Sequence, residues 1–269
     1  MGFYFEVFLL KEVDLCSLSR KGWILAPSET KDHLFSRKDK LSQEMGLEKR
    51  SGILPLTQSL YDFQCEEFFV LYSDDSLRSW QGAVLWEYES KQGDKYPVVQ
   101  LRKSFSNGFL GLYDQEEILA HELVHVARFA FKEPLFEEIL AYQTSKCFFR
   151  RFFGPLFLYP FESALLAIFS LMAPIFSLFF ESFWGVFLLI FLFCFFLIRL
   201  FLLQSLFLIS RKKIEKMGVS SAFSLAVILR LSDIEIVKAA ISSPLKTREE
   251  WKNKAEKDPR FKVILNSYF

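Results

Sequence analysis

Two neighbouring segments near the middle of the chain carry no charged residue. They are residues 163–180, SALLAIFSLMAPIFSLFF, and residues 182–198, SFWGVFLLIFLFCFFLI. At about 1.5 Å per helical residue, each is close to the length that crosses a hydrocarbon core of roughly 30 Å. A soluble core helix is usually amphipathic, whereas both segments are apolar on every face. The pattern therefore predicts a two-helix transmembrane hairpin over residues 152–210.

Basic residues flank this hairpin on one side. Arg150 and Arg151 precede the first span, Arg211 to Lys213 follow the second, and the connecting turn at Glu181 has no Lys or Arg. Because basic residues near span ends stay on the cytoplasmic side, we expect both soluble regions to face the cytoplasm from an inner-membrane anchor. Met1–Leu10 is apolar but short and lacks basic residues, so we expect no export signal there.

Charge is distributed unevenly over a chain of 269 residues whose formal net charge is +1. Such a balance argues against a nucleic-acid binder, and 51% hydrophobic residues argue against disorder. Residues 211–269 nevertheless hold 13 basic and seven acidic residues, which favours contact with anionic membrane lipid. We expect four regions: 1–60 of unknown role, a soluble domain at 61–151, the hairpin at 152–210, and a basic, helical cytoplasmic region at 211–269.

Short β-type runs and helical patterns together predict an α+β fold. Phe68–Tyr72, Gly82–Tyr88 and Pro97–Lys103 are typical of strands and predict a small antiparallel meander. After the hairpin, the pattern predicts helices over 219–231, 233–241 and 247–257.

A helix is predicted immediately after the strands. Asp114 is placed to cap it, Glu117 has the spacing of a capping box, and apolar residues recur at helical intervals from Gln115 to about Phe131. Pro134 is typical of the first turn of a second helix, which we expect to run toward Arg151.

The first of these helices contains the run His121-Glu122-Leu123-Val124-His125. Two histidines four residues apart lie on one helix face, so both imidazoles can reach one tetrahedral zinc ion. The adjacent Glu122 is then placed to take a proton from a metal-activated water. We therefore expect one Zn²⁺ per chain, with His121 and His125 as ligands and Glu122 as the catalytic base.

This segment resembles the active-site helix of zincin-type metallopeptidases, in which strands precede an H-E-x-x-H helix. The extended motif of one branch, the metzincins, would require Gly and His where this chain has Arg128 and Phe131. The gluzincin-like branch takes its third ligand from a Glu on the following helix, often with a small residue three positions later. Glu138 and Ala141 match that arrangement.

Glu137 is the alternative third ligand. On a helix, Glu138 shares a face with the small Ala141, whereas Glu137 points about 100° away from it. We therefore favour Glu138. Glu117 is a candidate partner for an imidazole N–H, although the capping box also explains it, and Tyr142 is a candidate oxyanion donor, although aromatic packing also explains it.

Two functions are consistent with this pattern. The first is a membrane-anchored zinc peptidase that hydrolyses polypeptides at the cytoplasmic face, with an extended substrate paired to an exposed edge at Pro97–Lys103. The second is a non-catalytic membrane protein that uses a zincin-like domain to bind a partner or a structural zinc. Glu122 favours the first, because a structural site needs no general base.

Overall fold

The computed structural model describes residues 15–43, 48–50, 54–65, 67–75, 77, 82–89, 93, 95–104, 114–180 and 184–269. Met1–Leu10 and the turn at Glu181 and Ser182 lie outside this set. The strands are β1 (Glu48–Arg50), β2 (Phe68–Tyr72), β3 (Ala83–Glu89) and β4 (Lys95–Leu101). The helices are α1 (Lys31–Gln43), α2 (Pro55–Tyr61), α3 (Gln115–Arg128), α4 (Glu137–Tyr142), α5 (Phe148–Phe153), α6 (Pro160–Phe180), α7 (Trp184–Lys216), α8 (Ser224–Leu229), α9 (Asp233–Ile241), α10 (Pro244–Lys254) and α11 (Pro259–Tyr268).

The four strands form a mixed sheet in the order β1-β2-β4-β3. β3 and β4 pair in antiparallel fashion, as predicted, but β2 and β4 are parallel, so the expected antiparallel meander is wrong. The reason lies in the burial of β4, where Val98, Val99 and Leu101 are all buried. A strand that is apolar on both faces takes a central position, which leaves the more polar β3 at the edge.

The α+β fold class is confirmed at a coarse level, although the chain is mostly helical. The second predicted helix does not run through to Arg151, because α4 ends at Tyr142 and α5 begins at Phe148. In the C-terminal region, the helix predicted over 233–241 is confirmed as α9, and α11 is a helix that the pattern did not predict.

Two helices, α6 and α7, are long and apolar enough to cross a membrane. They pack against each other as a hairpin, and most of their side chains are exposed to the surroundings of the protein. Arg199 of α7 contacts Glu162 of α6 at 2.5 and 2.7 Å and also donates to the Leu156 carbonyl. Because this pair joins the first turn of α6 to the middle of α7, the second half of α7 extends well beyond the start of α6.

One hydrophobic cluster includes residues from all four expected regions. It contains Ile24, Leu123, Phe207 and Val227. The buried Arg128 of α3 strengthens this junction by donating to the carbonyls of Leu229 and Leu231 at 2.7 and 2.9 Å. The division into four regions stays a prediction, but the C-terminal helices pack against the same core as the motif helix.

Candidate metal centre

Helix α3 carries the two histidines on the face opposite its core contacts. Asp114 caps the helix, as predicted, and accepts a hydrogen bond from the Glu116 amide. Leu123, Val124 and Ala127 are buried against the core. This packing fixes the rotation of the helix, so His121 and His125, one turn apart, both point into the cleft beside it.

Helix α4 presents two carboxylates to these histidines. Ile139, Leu140 and Ala141 of this helix are buried, and Glu138 lines the cleft beside the histidines. The turn that leads into α4 contacts the C-terminal region, because Asp233 Oδ2 accepts a hydrogen bond from Leu135 N at 2.8 Å. Helix α4 packs against α3.

Three ligand atoms converge on one point. The Nε2 atoms of His121 and His125 are 3.3 Å apart, and the two carboxylate oxygens of Glu138 lie 3.7 and 3.6 Å from them, respectively. Two ligands about 2.1 Å from a tetrahedral zinc ion are roughly 3.4 Å apart, so this set of donors fits zinc in both spacing and type. No other such cluster of His, Cys, Asp or Glu was found within the described ranges.

Glu137 has a different role from that of its neighbour. Its Oε1 lies 2.8 Å from His125 Nδ1, on the side of the imidazole away from the converging Nε2 atoms. A carboxylate in this position holds the ring orientation and places the proton on Nδ1, which leaves the Nε2 lone pair free for a metal. Glu138 thus lies near both Nε2 atoms, whereas Glu137 contacts only His125 Nδ1, and the choice of Glu138 as third ligand stays a prediction.

Glu117 does not support an imidazole. Its carboxylate accepts a hydrogen bond from Lys146 N at 3.0 Å and pairs with Arg150 at 3.3 Å. The capping box is also absent at α3, because Asp114 bonds to the Glu116 amide and Glu117 is buried against the segment that follows α4. Glu117 therefore connects the start of the motif helix to α5.

The charges around the site are unbalanced. Glu122, Glu137 and Glu138 surround two imidazoles, which gives an excess of negative charge that a divalent cation would neutralise. Burial, together with the charge of His125, holds the pKa of His121 well below its usual range, so this imidazole is neutral and able to donate its lone pair. Burial acts in the same direction on His125, but Glu138 and Glu137 outweigh it and raise that pKa to about 9.

Glu122 lies beside the metal position without joining the cluster. It is buried, it lines the cleft, and burial raises its pKa to about 7. A carboxylate with a pKa near neutrality can both accept and return a proton at physiological pH.

Tyr142 packs edge-on against His121, with ring centroids 4.7 Å apart. On its other side the ring lies against Gly154, where a side-chain Cβ would overlap it. The aromatic-packing interpretation of Tyr142 is thus observed, and its role as an oxyanion donor stays a prediction.

A cleft of about 560 Å³ runs along the site, and β3 forms one wall of it. Gly82 to Leu85 line this wall, opposite His121 and Glu138. β3 pairs with β4 on one side and has no strand partner on the other among the described residues. The expectation of an exposed edge at Pro97–Lys103 is therefore wrong, because β4 has partners on both sides and β3 holds the edge position beside the cleft.

Comparisons of the chain with models of protein families, with curated proteins and with solved structures find no significant match.

The sequence pattern did not indicate that Asp233, Arg128 or β3 contributes to the site. Asp233 follows Ser232 in an ordinary capping pattern for α9, so its sequence context indicates only a local role. Arg128 is the last residue of a helix whose buried face is otherwise mostly apolar. A charged residue in that position was the only feature of the sequence that indicated a buried polar partner.

Proposed function

We propose that this protein is a membrane-anchored zinc peptidase of the gluzincin-like type. The observation that carries the proposal is the convergence of His121, His125 and Glu138, with Glu122 beside them in an open cleft. A purely structural zinc site is closed by a fourth protein ligand, whereas this set has three ligands and an adjacent carboxylate.

We assign a separate chemical role to each residue of the site. His121, His125 and Glu138 hold the metal, and Glu137 orients His125 through its Nδ1. When bound, zinc lowers the pKa of its coordinated water toward 7 and polarises a carbonyl. Glu122 accepts a proton at its carboxylate as water attacks, and it returns that proton to the departing amine.

The substrate is a polypeptide in extended conformation. The free edge of β3 lies along the cleft wall, so a peptide strand placed there forms backbone hydrogen bonds with β3 and passes its carbonyls over the metal position. Backbone pairing of this kind recognises main chain rather than sequence, which suits unfolded or extended segments.

In this proposal the bilayer anchors the domain that carries the site. The chain anchors in the bilayer through α6 and α7, and the basic flanks at Arg150–Arg151 and Arg211–Lys213 support a topology with both soluble regions on the cytoplasmic side. The basic region at 211–269 lies near anionic headgroups, with an attraction of about 1 kcal/mol for each basic residue close to the surface.

The test is a comparison of the parent protein with Glu122→Gln, both purified in detergent. We expect one zinc per chain in each, hydrolysis of an unfolded polypeptide such as reduced casein by the parent, and loss of hydrolysis by at least 1000-fold in the variant. A parent protein without stoichiometric zinc, or a Glu122→Gln variant that cleaves as fast as the parent, would refute the proposal.

A further inference from the structure

Helix α5 carries an aromatic face that the rest of the protein does not cover. Its six residues read FFRRFF, and the side chains of Phe148 and Phe149 are 72% and 66% exposed. Two adjacent phenylalanines exposed to that degree are unusual on a surface that faces water.

The position of α5 along the length of α7 indicates what contacts this aromatic face. Gln204 of α7 donates to the carbonyls of Arg151 and Phe152 at 3.3 and 3.1 Å, and the rings of Phe152 and Phe201 are 5.3 Å apart. Helix α5 therefore packs against α7 at Phe201 and Gln204.

That part of α7 is itself exposed and apolar. Phe201 and Leu202 are 49% and 61% exposed, and apolar exposed side chains continue to Leu208 and Ile209 before the first basic residue, Arg211. Phe201 and Gln204 precede Ile209 by about 12 and 8 Å of helix. Helix α5 thus lies at a depth where α7 still presents lipid-compatible side chains.

The length of α7 also supports lipid contact at the position where α5 packs against it. From Trp184 to Ile209 the helix is about 38 Å long and contains one charged residue, Arg199, which is paired with Glu162; this length exceeds a hydrocarbon core of roughly 30 Å. A long span is accommodated by tilt or by local thickening of the bilayer, and either one keeps the last apolar turns of α7 in contact with lipid. An exposed arginine, Arg151, lies beside the phenylalanines and can extend toward anionic headgroups.

We propose that α5 is inserted into the boundary between headgroups and acyl chains of the cytoplasmic leaflet, with Phe148 and Phe149 in contact with phospholipid. This inference rests on the membrane-anchored peptidase proposed above and specifies its substrate class. Arg150 of the same short helix lines the active-site cleft, and Gly154 just beyond it holds Tyr142 against His121. The cleft therefore opens at the bilayer surface.

The substrate class follows from this position. Helix α5 is about 9 Å long, and an extended peptide advances about 3.3 Å per residue. A membrane-bound polypeptide therefore crosses the length of α5 in about three residues, and we assign cleavage to within about ten residues of the span end, which is roughly 33 Å of extended chain.

Lipid contact is tested by site-specific photo-crosslinking of the full chain in vesicles of phosphatidylethanolamine and tritiated phosphatidylglycerol. Benzoylphenylalanine is incorporated in turn in place of Phe148, Leu188 and Leu71. Leu188 is a half-exposed residue within α7 and Leu71 is 43% exposed on β2, outside the basic region, so the two serve as lipid-facing and water-facing controls. We expect labelling from position 148 to be within about twofold of that from 188 and at least tenfold above that from 71.

The outcomes separate the two proposals. Labelling from 188 but not from 148, or crosslinking of 148 to a second copy of the chain, overturns the placement of α5 and leaves the membrane anchor intact. Absence of lipid labelling from 188 overturns the anchor and the placement together.

Substrate class is tested with a single-span model substrate followed by an unstructured cytoplasmic segment of about 60 residues, incubated with the protein in the same vesicles. We expect cuts within about ten residues of the span, and slower cleavage by at least tenfold when the span is removed. Cuts distributed evenly over the segment, or equal cleavage of the soluble version, overturn the substrate assignment. Absence of any cleavage refutes the peptidase proposal but leaves the lipid-contact result in force.

Discussion

Asp233 and Leu135 are 98 residues apart in sequence, yet Asp233 Oδ2 accepts a hydrogen bond from Leu135 N at 2.8 Å. Leu135 belongs to the turn that leads into α4, which carries Glu137 and Glu138. The other oxygen of Asp233 lies 3.7 Å from the buried Arg128 of α3. One carboxylate in the C-terminal region thus contacts both elements of the candidate metal centre.

We expect Asp233→Asn to weaken zinc binding by about tenfold, because the turn that presents Glu138 loses its charged acceptor. Removal of the charge also leaves the buried guanidinium of Arg128 with a weaker partner, which lowers the free energy of unfolding by about 1–3 kcal/mol. Zinc affinity is measured by competition with a chromophoric chelator, and stability by thermal melting in detergent.

Glu235→Gln is the matched control for Asp233→Asn. Glu235 is also buried on α9, but its partners are Arg260 and Lys254 rather than α4. This variant should lose comparable stability and keep the parent zinc affinity. Equal losses of affinity in the two variants would mean that Asp233 acts through general stability alone.

The two neighbouring glutamates of α4 should respond differently to the loss of their charge. Glu138→Gln replaces a charged carboxylate ligand with a neutral amide and is expected to weaken zinc binding by more than 100-fold, whereas Glu137→Gln alters only the hydrogen bond to His125 Nδ1 and is expected to weaken it by about 10-fold. Titration of both proteins with zinc in the presence of a competing chelator measures the difference. A stronger effect of Glu137→Gln would reverse the assignment of the third ligand.

Gly154 should tolerate no side chain while Tyr142 is present. A Cβ at this position would overlap the Tyr142 ring, although the helical backbone of Gly154 suits any residue. We expect Gly154→Ala to destabilise the protein by about 1–3 kcal/mol through overpacking. In a Tyr142→Leu background the same change should cost little, so melting temperatures of the two single variants and the double variant form a cycle that tests the contact. Additive losses would show that the strain arises elsewhere.

Topology decides which polypeptides the site can meet. A cysteine introduced as Ser182→Cys should react with an impermeant thiol reagent in intact cells, and one introduced as Ser243→Cys should react only after lysis. The parent chain, with its four free cysteines, measures the background. Labelling of the Ser243→Cys protein alone in intact cells would place the metal centre in the opposite compartment.

The sequence by itself determined the features that depend on neighbouring residues. The spacing of His121 and His125 follows from the helical repeat, the start of α3 follows from the capping residue Asp114, and the position of the two apolar helices follows from the absence of charge. Each of these is a local property, because it needs only a few residues and a known backbone geometry.

Tertiary structure alone decided the remaining features of the site. The parallel pairing of β2 with β4 moved the free edge to β3, the rotation of α4 assigned different roles to Glu137 and Glu138, and Asp233 reached the ligand turn from the C-terminal helices. These relationships depend on which apolar faces pack together and on which distant carboxylate meets a buried amide or guanidinium. Such contacts arise between segments that are far apart in the chain, so no local pattern encodes them.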